Sequence, residues 1–106
     1  MNMQKMMKQV QKMQAQMAQV QEELGAKTVE ATAGGGVVRV VVSGHQEVKE
    51  VHIDPAAVDP DDVEMLEDLV MLAVNEGLRQ AQEMAAAEMA KVTGNVNIPG
   101  LPGGLF

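Results

Sequence analysis

The 106-residue sequence contains no cysteine, no tryptophan and no tyrosine, and its one aromatic residue is Phe106. Without cysteine, disulfides, thiolate metal sites and cysteine nucleophiles are excluded. Without aromatics through the body of the chain, base stacking of the kind used by single-strand binders is excluded as well. Serine occurs once, at Ser43, in a turn signal rather than a Gly-x-Ser-x-Gly context, so a serine nucleophile has no supporting motif. No apolar run approaches the ~18 residues of a membrane span. The start, Met1-Asn2-Met3-Gln4-Lys5, lacks the apolar core of a secretory signal and the Arg and Ser of a transit peptide, so the chain is expected to be mature from Met1.

What is present is distributed unevenly. The net charge is −7, which as an average should repel nucleic acid and anionic membrane. Residues 1–21, however, carry Lys5, Lys8 and Lys12 and no acid, while Glu47 to Glu88 hold twelve carboxylates against Lys49 and Arg79. A basic arm is joined to an acidic body.

Met3, Met6, Val10, Met13, Met17, Val20 and Leu24 recur at alternating spacings of 3 and 4, a heptad seam uninterrupted by Pro or Gly before Gly25. This predicts a helix ending near Leu24 that must pack on another helix. At about 100° per residue, Lys5, Lys8 and Lys12 share a stripe roughly opposite the seam. Alternation from Lys27 to Ala33, a Gly34-Gly35-Gly36 turn, the run Val37 to Val42 and the segment Val48 to Ile53 predict a three-stranded antiparallel meander. The valine strand reads as buried on both faces, which places Val38, Val40 and Val42, together with Met13 and Met17 of the seam, at an expected homodimer interface.

Asp59-Pro60-Asp61-Asp62 reads as an N-cap with Pro at the first helical position, predicting a helix from there to roughly Lys91 with Gly94 as the stop. The expected architecture is α/β of the α+β type, in the order α-β-β-β-α. Residues 1–94 form one domain, and 95–106 form a Gly/Pro-rich tail expected to be mobile.

Candidates for chemistry each meet a simpler reading. His45 and His52 lie in a polar hairpin and an alternating strand and read as ordinary exposed histidines. Asp59, Asp61, Asp62 and Glu64 lack the spacing of a calcium loop and suit a helix N-terminus. The three glycines join two strands, with no Gly-Lys-Ser/Thr sequel for phosphate. The ten methionines could be soft-metal ligands, but most fall at packing positions. No cofactor, metal or small-molecule substrate is expected. The lysine stripe, flanked by glutamines whose amides can bond phosphate or base edges, is the remaining candidate, and it suits duplex phosphates.

The order of pieces resembles the YbaB/EbfC family of bacterial nucleoid-associated proteins. The resemblance rests on Met7-Lys8-Gln9-Val10-Gln11-Lys12-Met13-Gln14, Gln21-Glu22-Glu23-Leu24, the Gly-rich turn and valine strand, Glu47 to Pro55, Leu66 to Val70 with Ala73 to Glu76, and the tail from Gly94 to Phe106. It implies a cytoplasmic, nucleoid-located, non-enzymatic homodimer with protruding first helices, and leaves higher oligomers open. Such a protein binds double-stranded DNA largely without sequence specificity and alters its conformation, with effects on gene expression, nucleoid organisation or repair. Carried onto this chain, the DNA-binding residues are Lys5, Lys8 and Lys12, with Arg79 and Lys91 as secondary candidates; where relatives often have a second basic residue, this chain has Gln80. The rival reading is a protein-protein module for a replication or recombination partner that uses the methionine seam.

Overall fold

A computed structural model of the protein describes residues 2–94; the tail 95–106, with its expected mobility, lies outside the described residues. The elements follow the expected order. Helix α1 spans Met3–Leu24, strands β1, β2 and β3 span Thr28–Ala33, Val38–Ser43 and Val48–Ile53, and helix α2 spans Val63–Gly94.

The sheet is an antiparallel meander in the order β1-β2-β3. Ala31 faces Val40 and Ala33 faces Val38 across β1 and β2, while Val51 faces Val40 and Ile53 faces Val38 across β2 and β3. These pairs put one row of apolar side chains on a single face. The turn between β1 and β2 passes through Gly34, Gly35 and Gly36 at φ 65°, 75° and 99°, a left-handed backbone that side chains with a Cβ rarely adopt.

Helix α2 lies mainly across β1 and β2. Val38, Val40 and Val42 are wholly buried beneath it, in a cluster with Ala31, Ala73 and Ala81. Small residues at 73, 77 and 81 recur every fourth position, so one stripe of the helix comes close to the sheet. The three valines, expected at an interface between copies, are already buried within the single chain. Arg39 and Val41, on the opposite face, are only partly covered, so β2 is sealed on one side rather than two.

Helix α2 also begins later than Asp59. Asp59 Oδ1 accepts from the Asp61 N–H at 2.9 Å, which closes a turn through its own backbone. Asp62 Oδ1 then accepts from the Met65 N–H at 3.3 Å, the bond of an N-cap to the third helical residue. The acidic run supplies a turn first and a cap second. From Val63 the helix runs for 32 residues, through the expected stop region to Gly94.

Candidate nucleic-acid interface

Helix α1 has two halves with different surroundings. Leu24 is buried, and Met13, Gln16, Met17 and Val20 are half-buried, whereas residues 2–12 are all exposed. The buried half rests on the last turns of α2, where Gln21 Nε2 stands 4.0 Å from Met89 Sδ and Lys27 Nζ pairs with Glu88 at 3.2 Å. Met13 and Met17, expected at an interface between copies, therefore already pack partly within the chain.

The molecule is 71 Å along its longest axis, while a helix of the length of α2 rises about 48 Å. Helix α2 alone does not span that length, and residues 2–12 of α1 are exposed throughout. At the attached end the close fit depends on glycine: a Cβ on Gly44 would stand 2.6 Å from the Leu24 carbonyl oxygen, and one on Gly25 would stand 2.9 Å from the His45 ring. His45 Nε2 lies at hydrogen-bond distance from the Gln21 carbonyl oxygen, which ties the β2–β3 turn to α1. Ser43, wholly buried, accepts through Oγ from the His45 and Glu47 N–H groups, so the only serine organises that turn.

The cations divide sharply. Lys27 pairs with Glu88, Arg39 with Glu30, Lys49 with Glu47, Arg79 with Glu76 and Glu83, and Lys91 with Glu88. Lys5, Lys8 and Lys12 have no carboxylate partner among the described residues; all three are exposed, and α1 carries no acid before Glu22. Arg79 is held most firmly. Its guanidinium bonds both Glu76 oxygens and Glu83 Oε1. The bond from Arg79, then that from Gln80, pulls the Glu76 carboxyl down to about 2, and the pair raises the Arg79 pKa in turn. Hydrogen bonds from Lys91 and then Lys27 likewise lower Glu88.

Arg79 thus sits between two carboxylates on α2, Lys91 shares the Glu88 carboxylate with Lys27, and neither is grouped with the arm lysines. The sequence already held the signal for this, since Glu76, Glu83 and Glu88 lie three or four residues from their cations. What remains is a helix of about 33 Å whose outer half carries net positive charge clear of the acidic body. At physiological salt the Debye length is about 8 Å, so the body's repulsion is largely screened along the arm. Among the described residues there is no group of three or more His, Asp or Glu side chains placed to hold a metal, and no helix is long and apolar enough to cross a membrane.

The model of the YbaB/EbfC DNA-binding family matches residues 1–96. A nucleoid-associated protein of Moorella thermoacetica is 67% identical over 99 residues, covering 93% of this chain and 95% of its own length. Another from Desulforamulus reducens is 69% identical over 100 residues, covering 94% and 95%. The fold is also similar to the crystal structure of an uncharacterized protein from Helicobacter pylori, with a TM-score of 0.76 at 22% identity, covering 89% of this chain and 99% of that one.

Proposed function

The chain belongs to the YbaB/EbfC DNA-binding family, and on that footing we propose that it is a nucleoid-associated protein that grips duplex DNA through Lys5, Lys8 and Lys12. It acts without catalysis, in the cytoplasm at the nucleoid. The observation that carries this reading is the division of the cations: each one on the body contacts a carboxylate, whereas Lys5, Lys8 and Lys12 contact none among the described residues and share one stripe of the exposed half of α1.

Lysine is a flexible point charge, well suited to phosphate oxygens and poorly suited to bidentate base recognition. Binding is therefore driven by counterion release and is largely indifferent to sequence. The near-absence of aromatic residues points to an intact duplex rather than splayed bases.

The working unit is a homodimer. Val48, Val51 and Ile53 of β3 lie on the same face of the sheet as Val42, Val40 and Val38 but beyond the cover of α2, and remain 41%, 46% and 40% exposed; Met65, Met71 and Leu72 of α2 are exposed as well. Exposed apolar residues in such numbers mark an interaction surface, and a second copy supplies the matching one. Two bodies joined in this way present two arms, and gripping the duplex at two places bridges, bends or compacts it.

The test is the salt dependence of binding to a labelled random-sequence duplex. Six arm lysines at ~0.9 counterions each give a slope of about −5 in log affinity against log salt. Binding insensitive to salt would overturn the mechanism.

A further inference from the structure

The apolar seam of α1 is packed along only part of its length. Leu24 is buried and Met13, Met17 and Val20 are half-buried, whereas Met3, Met6, Met7 and Val10 are 73%, 51%, 60% and 50% exposed. These four, with Gln11, line an open groove of about 330 Å³. A small-molecule site needs several convergent polar groups, and Gln11 is the only polar residue here.

The alternating spacing of 3 and 4 does not change where the cover ends. A seam of this period suits another helix, because its side chains repeat at the pitch on which a neighbouring helix presents holes. With Met3, Val10 and Met17 at the a positions of the heptad and Met6, Met13 and Val20 at d, the flanking e and g positions from Asn2 to Gln16 are Asn2, Met7, Gln9, Gln14 and Gln16. None is charged. Charges at e and g select a helix's partner and repel when alike, so two identical arms meet without repulsion, while a dissimilar partner finds no charge to read. Lys5, Lys8 and Lys12 fall at c, f and c, on the side that faces away from the seam.

We propose that the outer half of α1 is a self-association surface, on which Met3, Met6, Met7 and Val10 of one copy pack against the same residues of a second copy, helix on helix. The contact is short: Met3 to Met13 rises about 15 Å, too little to fold an isolated pair of helices. Each arm is already helical, however, because its inner half is anchored on α2, so pairing does not have to nucleate it. The flexible thioethers let the two surfaces adjust to one another. The arm surface is separate from the exposed apolar residues of β3 and α2, so copies joined there keep their arms available for pairing. Pairing also leaves both lysine stripes open to solvent, and the inference stands whether or not the arms bind DNA.

The chain has no cysteine, so one introduced thiol reports on one position. The test oxidises full-length Met6→Cys, Val10→Cys and Lys8→Cys, and an equal mixture of the first two, without DNA. Disulfide-linked dimers are followed on non-reducing gels, the linked peptides are identified by mass spectrometry, and circular dichroism confirms the helix content of each variant. Facing seam positions come within disulfide reach. Parallel arms link position 6 to 6 and 10 to 10. Antiparallel arms centred on residue 8, which overlaps Met3 of each copy with Met13 of the other, link 6 to 10 in the mixture. One of these patterns is expected to form at least tenfold faster than the link in Lys8→Cys, whose thiol faces away from the seam. Linking no faster than in Lys8→Cys, in both seam variants and in their mixture, would overturn the inference. DNA is absent from the readout, so failure of the arm mechanism leaves this result untouched.

Discussion

Arg79 Nε donates to Glu76 Oε2 at 3.0 Å while its two terminal nitrogens reach Glu76 and Glu83, so a cation placed centrally on α2 is outnumbered by the carboxylates that hold it. This relationship, repeated more loosely at Lys91 and Glu88, separates a charged residue from a charged site.

It predicts that Arg79→Gln leaves duplex affinity within about twofold, as for other exposed ion pairs whose loss has little effect. Lys8→Gln instead removes one phosphate contact from each arm, making the salt slope shallower by about 1.8 per dimer. Anisotropy titrations of both variants at several salt concentrations distinguish the two positions. Equal losses would mean that Arg79 reaches phosphate after all.

The same pair sets an acid dependence. Glu76 titrates at about 2 in the folded chain, against an ordinary value of 4.5. A depressed carboxyl stabilises the fold fully above its unfolded pKa and loses that contribution as pH falls toward its folded one. The contribution of Glu76 is therefore intact at pH 5 and above and disappears between about 4.5 and 2. Thermal melts followed by far-ultraviolet circular dichroism should show wild type and Glu76→Gln converging across that window, with the wild type ahead at pH 5. A gap that persists at pH 2 would contradict this origin.

Packing of α2 on the sheet depends on Gly77, where a Cβ would stand 2.7 Å from Val42 Cγ2 and 3.2 Å from Val40 Cγ2. Gly77→Val should destabilise the protein by about 1–3 kcal/mol through overpacking. Gly77→Ala should cost less, because the better helix propensity of alanine, about 1 kcal/mol, offsets part of the clash. Urea denaturation followed by circular dichroism measures both, since the chain lacks Trp and Tyr. A fully tolerated valine would show that the helix can lift without loss.

The start of α2 is set by Asp62. Removing its cap in Asp62→Ala should lower stability by about 1 kcal/mol. Asp59→Ala, which opens only the preceding turn, should change it less. A reversal of that order in denaturant midpoints would restore Asp59 as the cap.

Much of this fold could be read in the sequence, because periodicity is a direct consequence of burial. The 3,4 seam marked α1 from Met3 to Leu24, and alternation around the three glycines marked the strands. The lysine stripe was equally plain, because spacing and the lack of nearby acid are local properties. The start of α2 was less plain: Asp59, Asp61 and Asp62 can each serve as turn or cap, and only the backbone geometry decides among them. A valine run records burial without recording what does the burying, so Val38, Val40 and Val42 read as an interface although they lie in the core of the chain. The covering element was marked by Ala73, Gly77 and Ala81, small residues at every fourth position that let a helix approach closely. Exposure of Met3, Met6 and Met7 could not be foreseen either, since it depends on where α2 ends relative to α1.

The proposal that the arms bind DNA through their lysines underlies every prediction about the duplex. The most direct test titrates a fluorescently labelled random duplex with wild-type protein and with Lys5→Glu/Lys8→Glu/Lys12→Glu at low and physiological salt, with circular dichroism confirming the fold of both. Salt-weakened binding is expected of the wild type and none of the variant, whose helix content and melting should be unchanged because these positions lie off the packed seam. Undiminished binding by a folded variant would contradict it.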